Sequence, residues 1–520
     1  MPHTDTLVAA PAVPVRGVRP PRAARMLAPV ALAVLISACS FVPKYDRPVA
    51  PIPAEWPIAA TGEGVASSAD TLSTPAAGVG WRAFFRDPQL QTLIASALEN
   101  NRDLRVAVLN IEAARAQYNV QRAALLPSVG VGAQGTRQRT PGDLSPSGDA
   151  SIGSQYQVGV SMPTFEIDLF GRVRALSDAA LGQYLATEET RRNVQISLIS
   201  QVAEAYLNLI AAEVNIDLAQ RTLNSRTTSL DLVQRRVDAG VGSSLELNQS
   251  RTLLDTARSN LFAAQRARLQ AANALRLLTG GAETSTATNA QAAFILGDLL
   301  SDIPTGVSSE VLLARPDVLA AEQQLLSANA NIGAARSAFF PTISLTAMFG
   351  TASAQLSGLF GGGSGAWSFS PQITAPIFAG GSLRNQLALA EVRRDIAVSQ
   401  YEGTIQQAFR EVSDALAGTA TYSQQLQAED SLVAASRESL SLSQLRYDNG
   451  VDNFLAVQDA ERTLFQAQQQ LVSTRLAEQA NRVALYKALG GGWLENTVAG
   501  GTNPGTRSQA PATGPEALGR

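Results

Sequence analysis

The chain has 520 residues, with 41 lysines and arginines against 44 aspartates and glutamates, so its formal net charge is only −3. No basic patch with interleaved aromatics stands out, which argues against a nucleic-acid partner. His3 is the only histidine and Cys39 the only cysteine; once a leader is cut, the mature chain lacks the usual general base and the commonest zinc ligand, so neither an enzyme nor a metal site is expected.

Arg16, Arg19, Arg22 and Arg25 precede an apolar stretch from Met26 to Ile36, which suits a signal-peptide core and is too short for a permanent bilayer span. Ile36-Ser37-Ala38-Cys39 resembles a bacterial lipobox, the site at which a diacylglycerol is joined to the cysteine thiol before cleavage. The expected leader is therefore 1–38, and the only expected prosthetic group is covalent lipid on Cys39. Acyl chains gain about 0.8 kcal/mol per buried methylene, enough when several are present to hold the amino terminus on a membrane. Ser40, unlike aspartate at that place, is compatible with export to the outer membrane. Residues 39–80, rich in proline, alanine and small polar residues, read as an extended tether.

From Trp81 the periodicity becomes helical, with Leu90, Leu93, Ile94, Ala97 and Leu98 on one stripe. A second helix is expected from about Asp103 to Leu126, ended by Pro127. The period then changes to two. Val129, Val131 and Ala133 alternate with small polar residues, and after a Gly, Pro, Ser and Asp loop so do Tyr156, Val158, Val160 and Met162, predicting a β-hairpin within 128–166. Gly171 opens about 69 residues without a proline, worth ~100 Å of helix. Gly240 to Ser244 breaks it, and a return helix of ~51 Å runs to Leu278 and ends on Gly280-Gly281. Within the long helix Val194, Leu198, Val202, Ala205, Leu209, Ala212 and Ile216 form a seam near coiled-coil spacing.

The same order recurs in 311–491, after a connector at 282–310 that carries the apolar patch Phe294-Ile295-Leu296 and is expected to pack outside the helices. In a hairpin at 342–378 Ile343, Leu345, Ala347 and Phe349 alternate with Thr342, Ser344, Thr346 and Met348, and Trp367, Phe369, Ile373 and Ile377 with Ser368, Ser370, Gln372 and Thr374, and a helical hairpin at 381–490 turns at Gly450. Arg446-Tyr447-Asp448-Asn449-Gly450-Val451 answers Arg236-Val237-Asp238-Ala239-Gly240-Val241. This is an internal duplication, the first copy being 81–281. Residues 492–520, rich in Gly, Thr, Pro and Ser, read as a disordered tail. In an exported chain without an expected membrane-spanning helix, strands of about ten residues with one apolar face match a transmembrane β-barrel. Four strands are too few to close one, so closure needs two, three or four copies, giving 8, 12 or 16 strands.

Six ordered blocks then carry a family resemblance: Pro43-Lys44-Tyr45-Asp46-Arg47-Pro48 after Cys39; Trp81-Arg82-Ala83-Phe84-Phe85-Arg86-Asp87-Pro88; Phe165 to Arg172; Ala314-Arg315-Pro316-Asp317-Val318; Pro376 to Gly381; and Tyr486 to Trp493. The chain resembles the TolC-like outer-membrane factors, in particular the NodT/OprM-like efflux lipoproteins. The resemblance implies a mainly α fold with membrane β: a long periplasmic α-helical barrel plus four transmembrane β-strands per chain, shared in a 12-stranded trimeric barrel. It also implies the outer-membrane duct of a tripartite RND-type efflux system, a homotrimer coupled to a periplasmic adaptor and an inner-membrane transporter. By that resemblance the helical turns contact the adaptor through Gly240, Val241, Gly242, Ser244 and Glu246 in the first copy and Gly450, Val451 and Asp452 in the second. Leu455 and Asp459 match rings at the closed periplasmic aperture. Ala456 stands where some relatives carry another acid, so a two-tier acidic gate is not expected. The competing readings are a secretion duct for polypeptide or oligosaccharide, a non-conducting helical lipoprotein, and a cell-wall enzyme built on an Asp/Glu pair.

Overall fold

The computed structural model describes residues 40–54, 56–57, 78–145, 148–282, 290–301 and 308–497. The expected leader, the lipobox Ile36-Ser37-Ala38 and Cys39 lie outside the described residues. The chain divides into two units, one of residues 1–44, 121–178 and 329–391 and one of residues 45–120, 179–328 and 392–520.

In chain order the helices and strands are α1 (Trp81–Phe84), α2 (Pro88–Asn100), α3 (Arg102–Ala123), β1 (Gly130–Thr140), β2 (Ser151–Ile167), α4 (Arg172–Asp238) and α5 (Ser244–Leu278). They continue with α6 (Ala290–Leu296), α7 (Pro316–Ser337), β3 (Thr342–Ser353), β4 (Gly365–Thr374), α8 (Ser382–Asp448) and α9 (Phe454–Ala488). The duplication is carried through in length: α4 and α8 have 67 residues each, α5 and α9 have 35, and α3 and α7 have 22. The two long turns close alike. Gly240 and Gly450 sit at φ 76° and 71°, and the amides of Val241 and Val451 donate to the carbonyls of Arg236 and Arg446, both at 2.9 Å. This is the wrap-around helix ending that glycine permits, because a Cβ is disfavoured at positive φ.

In the first unit the two expected hairpins join into one antiparallel sheet ordered β1-β2-β3-β4. Registers align Val131, Val160, Phe349 and Trp367 across all four strands on one face, and Gly132, Gly159, Gly350 and Ala366 on the other. On that small-residue face the backbones nearly touch. A Cβ on Gly350 would lie 2.1 Å from the Val158 carbonyl oxygen, and one on Gly159 would lie 2.6 Å from that of Phe349. Strand β2 runs longer than expected because it passes Pro163 through a register shift between Met162 and Phe165; a proline is tolerated in a strand at such a bulge. Where strand meets helix, Glu166 pairs with Arg172, and Asp168 caps Arg174 through its amide at 2.8 Å.

The second unit is centred on α4. From Leu198 to Leu218 this helix buries Ile199, Tyr206, Leu207 and Ile210 as well as the expected seam positions Leu198, Val202, Leu209 and Ala212. The seam is therefore wider than a coiled-coil stripe, because Trp81, Phe84, Leu90, Ile94, Phe294 and Tyr486 pack around it. By length and composition α4 is apolar enough to cross a bilayer, which departs from the expectation of no such helix, yet its most apolar window is largely buried inside the protein. Phe294 of the connector is fully buried in this cluster while Ile295 is exposed, so the connector contributes to the core on one side and does not simply lie outside the helices. The tether is likewise held where it is described: Arg47 bridges Glu322 at 2.7 Å and donates to the Tyr401 hydroxyl, and Trp56 stacks on Phe409.

Residues 492–497, expected to belong to a disordered tail, are instead held against the helices. Residues 494 and 495 accept from the amides of Trp81 and Arg82, and Arg192 lies over the Trp493 ring at 4.8 Å. An aromatic with a cationic cover and a backbone with partners orders the chain to that point; residues 498–520 lie outside the described residues.

Asp87 shows how a short helix is locked to the long one. Its carboxylate caps α2 by accepting from the amide of Gln89 at 2.7 Å and also accepts from the buried Tyr206 hydroxyl at 2.7 Å. Asp87→Ala is expected to cost about 1–2 kcal/mol from the lost cap, Tyr206→Phe about 1 kcal/mol, and Asp87→Asn less than Asp87→Ala. Thermal unfolding of the detergent-extracted protein checks the order; an Asp87→Ala variant as stable as the wild type would contradict it.

Candidate functional site

The two helical turns are brought together. Val233 and Leu247 of the first hairpin share a small core with Tyr447, Phe454 and Val457 of the second. Arg236 donates to the Tyr447 hydroxyl, and its guanidinium lies 4.9 Å from that ring's centroid. Burial raises the Tyr447 phenol above its ordinary range and Arg236 opposes the rise, so the ring stays neutral and works as acceptor and π-face.

The expected tip residues fall into two groups. Val241 and Val451 are 70% and 63% exposed, and Gly240, Ser244 and Gly450 are exposed with them. Glu246 and Asp452 have partners within their own hairpins. Glu246 completes a capping box, its carboxylate accepting from the Ser243 amide while the Ser243 hydroxyl accepts from that of Leu245. Asp452 pairs with Arg446 at 2.7 Å. Gly242 lies against the backbone of Val237, where a Cβ would meet the amide nitrogen at 2.7 Å. Leu245, 65% exposed, belongs to the same outward surface and was not among the expected residues; its counterpart at the repeat offset is Leu455.

Leu455 and Asp459 are both exposed on α9, one turn apart. Asp459 is not a lone acid: Arg462 donates to it at 2.8 Å across one helical turn. The signal for this partner was the Asp-x-x-Arg spacing, which puts both side chains on one helix face. Behind them, Arg226 of α4 donates to the Leu253 carbonyl at 2.9 Å and lies 5.9 Å from the Phe465 ring centroid. Burial lowers the affinity of Arg226 for its proton and raises the pKa of Glu461, each charge partly offsetting the other's shift.

In the first unit the described chain starts at Ser40, next to the expected lipidation site. Phe41 stacks on Phe340 at 4.5 Å, and Phe340 stacks on Phe170 at 5.0 Å. Asn329 donates to the Pro43 carbonyl at 2.8 Å, and Val42 fits against Gly333, where a Cβ would come within 2.4 Å. These contacts fix residue 41 beside the junction of α7 with β3 and of β2 with α4, the end of the sheet from which all four helices leave. On the apolar face Val131, Phe349 and Trp367 are 81%, 74% and 75% exposed, a row that water does not favour.

A family model described as outer membrane efflux protein matches residues 93–281 and 307–491, one stretch for each copy of the duplication. The toluene efflux pump outer membrane protein TtgF of Pseudomonas putida is 49% identical over 468 residues, covering 89% of this chain and 96% of that protein. The outer membrane protein OprJ of Pseudomonas aeruginosa is 45% identical over 464 residues, covering 89% and 95%. Among solved structures, the open state of the MtrE outer membrane channel of Neisseria gonorrhoeae superposes with a TM-score of 0.77 at 38% identity, over 89% of this chain and all of that one.

Glu461 gives the region a pH dependence of definite sign. Its raised folded-state pKa means that stability is fully present below the unfolded carboxyl value and declines as pH rises through the folded value. Glu461→Gln is therefore expected to raise the thermal midpoint at pH 7, with the gain vanishing below about pH 4. A gain that persists in acid, or a loss at pH 7, would contradict the assignment.

Proposed function

From the premise that this chain belongs to the outer membrane efflux protein family, we propose that three copies close a 12-stranded barrel and form a passive exit duct for small molecules. The observation that carries the reading is the four-stranded sheet with one apolar face and two unpaired edges, β1 and β4. In lipid each edge carries amides and carbonyls with no water to satisfy them, so the edges have to be paired by neighbouring copies. Of the even-stranded closures open to four-stranded units, the 12-stranded one agrees with the channel family to which the chain belongs. Localisation in the outer membrane follows from the same membership.

Cys39 carries the lipid in this reading, and the ring stack from Phe41 to Phe170 holds the acylated end beside the sheet. The exposed tip surface of Val241, Ser244, Leu245 and Val451, with the glycines that shape it, meets a periplasmic adaptor, which couples the duct to an inner-membrane transporter of the RND type. Glu246 and Asp452 support this surface by holding the turns. The similarity to a toluene efflux component supports small apolar solutes as cargo. No residue is assigned a chemical step, since transport down a conduit needs only a passage and a gate.

Leu455 and Asp459 form that gate where three copies of α9 converge. Three carboxylates at a neck repel each other and attract cations, but Arg462 beside each one offsets the ring's charge. Replacing Leu455 and Asp459 by alanine is expected to raise single-channel conductance in planar bilayers at least about twofold and to weaken block by divalent cations. Arg462→Ala is expected to shift selectivity toward cations with Asp459 intact. Unchanged conductance in the double variant, together with unchanged selectivity in Arg462→Ala, would remove this face of α9 from the gate.

A further inference from the structure

Arg137 and Arg139 are the only lysine or arginine side chains in the four strands and the two loops that join them in hairpins. They sit at alternate positions of β1, paired with Ser154 and Ile152 of β2, and so share the face of Val131, Ala133, Val158 and Val160. Both are exposed, and neither has an ion-pair partner among the described residues, although Asp143 and Asp149 lie in the adjoining loop. Two unpaired cations on an otherwise apolar, lipid-facing stripe need a reason, because a charge is costly at the bilayer midplane and cheap at the interface.

Their depth supplies it. The apolar face begins at the row Ile167, Ile343, Ile373 and ends at the row Gly135, Tyr156, Ser353. That is about ten residue steps, or about 34 Å along a strand and about 26 Å of bilayer at the usual tilt, which is one hydrocarbon thickness with Tyr156 at its rim. Arg137 and Arg139 follow about 5 and 10 Å beyond, at head-group level. The end of the sheet carrying Phe41 is the periplasmic end, since four helices leave from it and the lipidated amino terminus is held there; the arginines are at the opposite, outer-leaflet end.

We propose that Arg137 and Arg139 form a binding site for the phosphate groups of a phosphorylated outer-leaflet glycolipid. The guanidinium fork matches phosphate oxygens in bidentate geometry. Ile152 beside Arg139 and Tyr156 one row below Ser154 give the acyl region an apolar bed. The site rests on the barrel reading above.

The test uses the full-length lipidated protein in phosphatidylcholine vesicles with and without lipid A, followed by detergent extraction and mass spectrometry of retained lipid. Wild type is expected to retain lipid A, to lose most of it at 0.5 M salt (about the regime in which the Debye length falls below 5 Å), and to retain dephosphorylated lipid A poorly. Millimolar inorganic phosphate should not displace it. Arg137→Gln with Arg139→Gln should lower retention at least about threefold, while the double lysine variant should keep most of it. Equal retention by wild type and the glutamine variant, or equal retention of the dephosphorylated lipid by wild type, overturns the site. Single-channel conductance of wild type in the same vesicles reports on the barrel independently, so a conducting protein that ignores lipid A refutes the site alone. If the glutamine variant fails to assemble, the salt and dephosphorylation arms on wild type still decide.

Discussion

An unpaired strand edge in lipid is the constraint on which the rest of this protein depends. Each copy supplies four strands joined in one sheet, and the register leaves β1 and β4 with one side of their backbones unanswered. A soluble protein would cover such an edge with a loop or a helix, but among the described residues no helix packs along the edges, and the face between them is mostly apolar. Closure has to come from outside the chain, and it sets the symmetry that the helices then follow. The row Gly132, Gly159, Gly350, Ala366 serves the same end: removing side chains from one face lets neighbouring backbones crowd together there, as a sheet that must curl requires.

Duplication provides two helical hairpins of equal length, and divergence between them makes the tip. At the repeat offset Val237 and Ser244 of the first copy correspond to Tyr447 and Phe454 of the second. The aromatics appear in one copy only and meet the aliphatic surface and Arg236 of the other. Two identical hairpins would present like surfaces to each other. The substitution of large rings for small residues in one of them makes the pair complementary, at a place where a few kcal/mol of packing decide whether the two turns move together.

Much of this was legible in the residues. The long helices end within a residue or two of the bounds that their glycine turns mark, because such turns and the absence of proline between them are local signals that tertiary contacts reinforce, whereas α3 stops at Ala123, three residues before the expected Leu126, and the stripe expected from Trp81 is broken into α1 and α2. The strands of the first copy run longer than their alternation shows, since Pro163 and the polar run Gln134 to Thr140 conceal a continuing ladder that only cross-strand pairing reveals, whereas β4 ends at Thr374, before the expected strand position Ile377. The sequence shows less of α4 buried than the structure does, because a heptad seam reports one neighbour, whereas Phe294 and Tyr486 arrive from sequence positions far from Tyr206. Of the candidate site, the turns and the exposed face of α9 were legible; the partners of Asp459 and Tyr447 were not, although one lies at helical spacing.

Several of the motif blocks that carry the family resemblance are joints, although Pro376 to Gly381 is exposed throughout. Arg315 is buried and ties Asp317, Glu411 and the Ala488 carbonyl at 2.6, 2.8 and 2.8 Å, joining α7 to α8 and α9. Phe84 stacks on Tyr486 at 4.0 Å, and the Tyr486 hydroxyl donates to the Val79 carbonyl. Burying charge and hydroxyl groups is tolerable only when each finds its partner, so such joints admit few alternatives and leave sharp sequence signatures. Surfaces that meet partners or cargo face the opposite condition. The side chains of Val241, Leu245 and Val451 are largely exposed, and many residues would satisfy the same local geometry. Sequence motifs therefore report how the duct is held together, while what it docks with and releases is written in exposed positions whose meaning depends on the molecule brought against them.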